Sequence, residues 1–190
     1  MVRFLHTADW QLGKPYGRVK DQEKQARLKQ LRFDVIERLA EVVQREKLEF
    51  VVVAGDLFDS IEPTRADVAQ ACSAIGAIGV PVLAIPGNHD HGGAGSFWHE
   101  AWFKNYKDDL APNLQPLLER KPLHLPGALI LPCPLNRQAD TDDPLSWLQN
   151  YKFDQFDQRP RVVVAHGSVH GFGADELIDS DDENPLAATN

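Results

Sequence analysis

Two stretches, FVVVAGD (residues 50–56) and RVVVAHG (residues 161–167), constrain the fold of this chain more than any other feature. Each is a continuous β-branched run that ends in a residue able to bind a ligand, Asp56 in the first and His166 in the second. A continuous apolar run, unlike an alternating one, is typical of a strand that is covered on both faces. The two stretches therefore predict buried strands over 50–54 and 161–165.

Shorter apolar runs predict three more strands, over residues 2–5, 80–85 and 128–131. Residues 112–126 have the pattern of a connection.

Helical spacing separates the first three of these strands. A long helix is predicted over about 21–47, with an apolar stripe at Leu28, Leu31, Val35, Leu39 and Val42. A second helix is predicted to begin near Pro63 and to end at Gly76 or Gly79, and residues 96–110 predict a short aromatic-rich helix. The alternation of strands and helices predicts an α/β layered fold in one domain over residues 1–190.

Polar residues follow four of the predicted strands at the point where each strand ends. Asp9 and Gln11 follow the first strand, and an extended chain would direct both side chains to the same side. The other three strands are followed by GDLFD with Asp56 and Asp59, by GNHD with Asn88 and His89, and by His166. The carboxyl ends of parallel strands form the ligand-binding edge of α/β sheets. Oxygen and imidazole donors without cysteine suit Mn, Mg, Fe or Zn, so the pattern predicts a divalent metal site.

These motifs, D-x-Q, GDLFD, GNHD and AHG in this order, resemble those of the calcineurin-like metallophosphoesterases. The stretches HTADWQLGK, GDLFD and GNHDHGG are more specifically similar to those of the SbcD-type DNA repair exonucleases. The resemblance implies a metallophosphoesterase-type layered sandwich, with mixed β-sheets flanked by helices. It also implies a phosphodiesterase acting on DNA, in which two divalent ions, most often Mn, activate a water for attack on the phosphorus. An SMC-like ATPase partner and a homodimer in the full complex are implied as well.

Carried over residue by residue, the resemblance implies distinct roles. Asp9 binds the first metal, Asp56 bridges the two, and Asn88 and His166 bind the second. His89 contacts the scissile phosphate and assists departure of the 3′-oxygen, while Asp59 orients His89 or braces its loop. The alternatives are structural: Asp56 and Asp59 as helix caps, Asn88 and His89 as part of a tight turn, and His166 as a core histidine.

The chain departs from the family pattern at two points. Gln11 stands where the family usually has His, which predicts weaker binding at the first metal or contact through water. No Gly-His-x-His motif follows His166, and His170 has the wrong spacing for it. The acidic tail also ends without a strand or cap. We therefore expect the chain to stop inside its catalytic domain, and a small-molecule phosphodiesterase or a catalytically incomplete scaffold remain alternative functions.

Charge is unevenly distributed along the chain. Residues 1–50 hold 11 Lys and Arg against 8 Asp and Glu, and the remainder is strongly acidic, so that the net charge is -8. The basic stretch, which we define as Lys14, Arg18, Lys20, Lys24 and Arg27, predicts either a path for DNA phosphates or a solvated helix surface. Lys20, Lys24 and Arg27 are predicted to share one helical face.

Several features predict a location in the cytoplasm. No apolar run approaches the length of a membrane span, and the N-terminal sequence enters the first strand without an apolar signal region. Cys72 and Cys133 lie in apolar stretches far apart, which favours two buried, reduced thiols.

Overall fold

The computed structural model describes residues 2–139, 143–169 and 185–186. Its first sheet is fully parallel in the order β1-β2-β3-β4. These strands are β1 (Phe4–Thr7), β2 (Phe50–Ala54), β3 (Val82–Ile85) and β4 (Leu114–Pro116). The predicted strand at 50–54 is confirmed, whereas the first strand begins two residues later than expected.

The second sheet is mixed, in the order β5-β6-β7. It contains β5 (Leu123–His124), β6 (Leu129–Cys133) and β7 (Arg161–Ala165), with β5 antiparallel and β7 parallel to β6. A small parallel pair, β8 (Ser168–Val169) and β9 (Pro185–Leu186), lies beyond it along the chain. The expectation that the acidic tail has no strand is therefore wrong, because β9 lies in it. The prediction of a plain connection over 112–126 is wrong, because that segment contributes β4 and β5.

Helices connect the strands of the first sheet. They are α1 (Gln22–Glu46), α2 (Arg65–Gly76), a 3₁₀ turn (Phe97–His99) and α3 (Ala101–Leu110), and a short α4 (Ser146–Gln149) precedes β7. Asp21 caps α1 by accepting from the N–H groups of Glu23 and Lys24, and Thr64 caps α2 by accepting from the N–H of Asp67. The caps are therefore not Asp56 or Asp59, so the helix-cap alternative for these two carboxylates is wrong.

Two cores lie on opposite faces of the first sheet. Val51 and Val53 point into the helix core with Phe33, Ile36 and Ile75. The alternate residues of β2 point into the inter-sheet core, which contains Phe50, Val52, Ala54, Leu83, Ile85, Ala128, Ile130 and Val164. Helices, first sheet and second sheet thus form three layers, which confirms the predicted α/β layered sandwich and explains why β2 is apolar at every position.

The predicted apolar stripe of α1 is wrong in detail. The buried residues of α1 are Phe33, Ile36 and Val43, whereas Leu31 and Val35 are 40% and 48% exposed. The helix carries two adjacent apolar rows, and the sheet covers the row that contains Ile36. No helix in the described part of the chain is long and apolar enough to cross a membrane.

Candidate metal centre

The four ligand-bearing strand ends meet at one pocket. β1, β2 and β3 bring their carboxyl ends to the edge of the first sheet, and the end of β7 arrives from the second sheet. The pocket has a volume of about 310 Å³, and its lining residues are His6, Ala8, Asp9, Gln11, Ala54, Asp56, Asn88, His89, Ala165, His166 and Gly167. All five predicted metal ligands and His89 therefore line the same space.

Asp9, Asp56 and His166 form the centre of this pocket. Each offers one ligand atom, and these atoms lie within 4.8 Å of one another. The Oδ1 atom of Asn88 is 2.9 Å from Nε2 of His166, so its amide faces the same point. Two carboxylates, one amide oxygen and one imidazole at this separation fit the donor set of a divalent cation such as Mn.

His166 is held in an orientation that suits a metal ligand. Its Nδ1 lies 2.8 Å from the carbonyl oxygen of Ala54, and the tautomer that donates Nδ1–H to that carbonyl presents the lone pair of Nε2 to the cluster. The close approach depends on Gly55, because a Cβ at that position would lie 2.7 Å from the Cβ of His166. Gly55 also has a φ of +91°, which favours glycine.

Asp56 is the most deeply buried of the predicted ligands, with 1% exposure. Burial raises the pKa of its carboxyl, and nearby His166 and the N–H of His89 only partly offset that effect. The N–H of His89 donates to Asp56 Oδ1 over 3.0 Å. Burying the charge of Asp56 next to a second carboxylate, Asp9, is unfavourable. A bound cation would offset this cost and stabilise the ionised form of Asp56.

The loops after β1 and β2 run side by side. Asp9 N–H donates to Gly55 O, Gln11 N–H to Asp56 O and Leu12 N–H to Leu57 O, over 2.9–3.1 Å. The expectation that an extended chain would bring Asp9 and Gln11 together is wrong, because their φ angles are +56° and +42°. The left-handed backbone lets this loop follow the β2 loop, and both side chains still reach the pocket.

The side chain of Gln11 contacts Lys14. Its Oε1 accepts from Lys14 Nζ over 2.8 Å, and the same ammonium pairs with Asp59 Oδ1 at 3.2 Å. The amide oxygen that would ligate an ion is thus bonded to a cation of the protein itself. Lys14, which we predicted as a DNA contact, lies 34% exposed in this cluster beside the pocket.

His89 lies between the two carboxylates of the GDLFD motif, Asp56 and Asp59. Its Nε2 is 3.9 Å from Asp56 Oδ2, and its Nδ1 is 3.8 Å from Asp59 Oδ1 and 3.4 Å from the carbonyl oxygen of Asp59. The side chain is 26% exposed. His89 is therefore open to a ligand in the pocket, with Asp59 behind it.

The other predicted DNA contacts are exposed and do not line the pocket. Lys24 and Arg27 lie on α1, but Lys20 precedes the cap residue Asp21, so the prediction that all three share a helical face is wrong. Phe97, Trp98 and Phe103, from the segment predicted as an aromatic-rich helix, are buried and pack on one another, so these three rings serve the core.

His6 also lines the pocket, although it is not one of the predicted site residues. It lies on β1 between Phe4 and Ala8, and all three point to the side of the second sheet. The alternation of side chains along β1 was the signal, because it puts His6 on the face that carries Ala8 into the pocket. His91, which directly follows the GNHD motif, is not among the residues that line the pocket.

The profile of the calcineurin-like phosphoesterases matches residues 2–187. The chain therefore belongs to this family and is, by class, a metal-dependent phosphoesterase.

Within that class, the chain is 36% identical over 94 residues to the D component of the nuclease SbcCD from Bacillus subtilis (strain 168). This similarity supports the predicted SbcD-type resemblance. The match takes in 47% of this chain and only 22% of that relative's length.

Solved structures share the fold at low sequence identity. The crystal structure of TT1561 of Thermus thermophilus aligns with a TM-score of 0.56 and 12% identity, over 93% of this chain and 73% of that one. A second crystal structure aligns with a TM-score of 0.51 and 13% identity, over 85% and 67% of the two chains. These neighbours share the layered α/β fold of this chain.

Proposed function

We propose that this chain is the catalytic part of a two-metal phosphodiesterase that cleaves DNA. The observation that carries the proposal is the convergence of Asp9, Asp56 and His166. Their ligand atoms lie within 4.8 Å of one another, beyond the carboxyl ends of β1, β2 and β7. The partial similarity to a component of a named nuclease supports DNA as the substrate.

The chain supplies donors for two neighbouring ions. Asp9 and Gln11 would hold the first, Asn88 and His166 the second, and Asp56 would lie between them. When bound, divalent ions supply a water of lowered pKa and neutralise charge on the phosphate. Mn suits this oxygen-rich donor set, and Mg, Fe and Zn are the other candidates.

We assign the action on the leaving group to His89. Its ring is partly exposed in the pocket, and Nδ1 faces Asp59, so Nε2 is directed toward the space beside Asp56. From there His89 would give a proton or a hydrogen bond to the departing 3′-oxygen. Asp59 would hold the ring in this orientation.

The charge distribution supports a polyanionic substrate at this site in spite of the net charge of -8. Lys14 lies beside the pocket, and the exposed Arg18, Lys20, Lys24 and Arg27 follow it along the chain. We propose that this basic stretch guides DNA phosphates toward the metal centre. The SMC-like ATPase partner and the homodimer remain predictions, which the similarity to one component of a nuclease complex supports. A cytoplasmic location fits the two free, buried cysteines, Cys72 and Cys133.

Mn-dependent cleavage of linear DNA tests the proposal, with binding of Mn²⁺ measured on the same preparations. Asp56→Ala should lose both metal binding and cleavage, because it removes the central buried ligand. His89→Ala should retain the metals and lose most turnover. Glu37→Ala, which removes an exposed carboxylate on α1, is the matched control and should change neither. Release of the metals by His89→Ala would contradict the role assigned to His89.

A substrate panel separates this function from its alternatives. Linear DNA should be cleaved faster than nucleotide esters, and charge reversal at Lys24 and Arg27 should weaken DNA cleavage without changing ester hydrolysis. Preference for the small esters would instead make the chain a small-molecule phosphodiesterase. Binding of DNA or metal without any hydrolysis would make it a scaffold.

A further inference from the structure

Asp90 is a buried carboxylate that the proposed reaction does not use. It is the residue after His89 in the GNHD motif, and it is 0% exposed. Its Oδ1 accepts from the N–H of Gly87 over 2.7 Å, and its Oδ2 accepts from the N–H of Phe58 over 3.1 Å. One carboxylate therefore bonds to two different loops.

Both of these loops carry predicted ligands. Phe58 lies in the loop after β2, between Asp56 and Asp59, whereas Gly87 precedes Asn88 in the loop after β3. The two loops touch closely, because a Cβ on Gly87 would lie 2.5 Å from the backbone N of Asp56. The distance between Asp56 and Asn88 thus depends on how these loops are held together.

The backbone of Asp90 is fixed from the opposite side. Its carbonyl oxygen accepts a short hydrogen bond from Trp98 Nε1. Trp98 packs on Phe97 and Phe103, with ring centroids 4.5 and 5.3 Å apart, and Phe97 packs on Phe58 at 5.0 Å. The aromatic cluster therefore supports both the residue that joins the loops and one of the loops it joins.

We propose that Asp90 is a positioning residue that clamps the loop of Asp56 to the loop of Asn88 and so sets the spacing of the metal ligands. This inference rests on the proposed function, since it concerns the same metal centre. Removing the clamp should move the ligands apart by enough to weaken metal binding, as loss of an outer partner of metal ligands commonly costs about 10- to 100-fold in affinity.

The test compares Asp90→Asn, Asp90→Ala and the parent chain. Asp90→Asn keeps one acceptor oxygen and places an NH₂ group against the other backbone N–H, whereas Asp90→Ala leaves both N–H groups unpaired. Ile75→Val is the control for general destabilisation, because Ile75 is buried in the helix core at the far end of α2 from these loops. Each protein is measured for Mn²⁺ affinity by calorimetry, for thermal unfolding, and for amide hydrogen exchange without metal.

We expect Mn²⁺ affinity to fall in the order parent, Asp90→Asn, Asp90→Ala. Exchange in the metal-free protein should accelerate at residues 55–59 and 87–90 in both Asp90 variants. Ile75→Val should lower the melting temperature and leave Mn²⁺ affinity unchanged. If Asp90→Ala does not fold, Asp90→Asn carries the comparison.

Two results would overturn the inference. One is an Asp90→Asn protein with the Mn²⁺ affinity and the loop exchange of the parent. The other is a loss of affinity in Ile75→Val as large as that in Asp90→Asn, which would make the effect one of general stability. A parent chain that binds no Mn²⁺ would instead refute the proposed function, and the exchange measurement would still decide whether Asp90 joins the two loops.

Discussion

Three non-glycine residues of the pocket, Asp9, Gln11 and Asp56, have positive φ angles between 42° and 56°. Such a backbone costs about 1–3 kcal/mol for each residue and persists only where the surroundings hold it. Here the hydrogen bonds between the β1 and β2 loops hold it, and aspartate tolerates this region better than most residues. The strain is thus concentrated where the ligands converge.

At Gly87 we expect a single methyl group to disrupt the centre. A Cβ there would lie 2.9 Å from Cγ of Asp56 and 2.5 Å from its backbone N. Gly87→Ala should therefore push Asp56 away and lower Mn²⁺ affinity by about tenfold or more, which corresponds to about 1.4 kcal/mol. Calorimetric titration checks this outcome. Gly17→Ala, at a site with no atom within 4 Å of the added Cβ, serves as the control.

At position 11 we expect an imidazole to restore a stronger donor. The amide oxygen of Gln11 accepts a hydrogen bond from Lys14 Nζ, whereas imidazole is a better ligand for borderline ions such as Zn. Gln11→His should tighten Zn²⁺ binding by about tenfold, or about 1.4 kcal/mol. Competition with a chromogenic chelator measures this change. An unchanged affinity would mean that the side chain at position 11 does not reach the ion.

At the scale of the elements, α1 shows how a single residue ends a helix. Lys47 has φ 53° and ψ 51°, its N–H donates to Gln44 O, and the N–H of Leu48 donates to Val43 O. This left-handed C-terminal turn is the arrangement in which glycine is normally preferred. The basic side chain near the carboxyl end of the helix offsets part of the cost.

Lys47→Gly should therefore stabilise the chain by about 0.5–1 kcal/mol, because glycine adopts this backbone without steric cost. Urea denaturation of the metal-free chain measures the effect. Lys47→Ala is the matched control, since it removes the charge and keeps the Cβ. A gain in stability for alanine equal to that for glycine would contradict the conformational explanation.

The sequence predicted the elements well where burial is complete. The run at 50–54 ends where predicted because every residue of β2 is buried. The run at 161–165 also forms a strand, β7, but the prediction that it is buried on both faces is wrong, because Val164 is its one buried residue and Val163 is 46% exposed. The predicted stripe of α1 is wrong at Leu31 and Val35 because they have a helical spacing, as Phe33 and Ile36 also do, and spacing alone does not tell which row faces the sheet. β4 and β5 were missed because strands of two or three residues leave no periodic pattern.

At the scale of the whole molecule, the pocket joins two sheets that meet at β2 and β7, and it gathers acidic groups at that junction. The polar residues that follow the strands predicted this site. The Lys14 contacts were not predictable, because a lysine three residues from Gln11 is ordinary in sequence and becomes specific only once Asp59 is brought beside it.

Buried carboxylates should make the metal-free chain more stable at pH 5 than at pH 7. Complete burial raises the pKa of Asp90 to about 7, and burial raises the pKa of Asp56, whereas an unfolded aspartate ionises near pH 3.9. Between about pH 4 and 7 the folded chain retains protons that the unfolded chain has lost, so the free energy of unfolding falls as the pH rises. The free energy of unfolding can fall by at most about 1.4 kcal/mol per pH unit for each proton that only the folded chain retains.

Urea denaturation in a chelating buffer at pH 5, 6 and 7 measures this dependence, and Asp90→Asn should reduce its slope. Saturating Mn²⁺ should stabilise the chain more at pH 7 than at pH 5, because the ion needs the ionised form of Asp56. A metal-free stability that increases from pH 5 to pH 7 would contradict the direction of both pKa shifts.

The hydrogen bond from His166 to Ala54 spans 112 residues, and the contact of His166 with Asn88 spans 78. Contacts of such long range close large loops, which costs conformational entropy and slows folding, and we expect these contacts to form late. An ion held by residues from both sheets would therefore act after the rate-limiting barrier of folding has been crossed. Its main kinetic effect would be to slow unfolding and so lengthen the lifetime of the native chain, with little change in the rate of refolding.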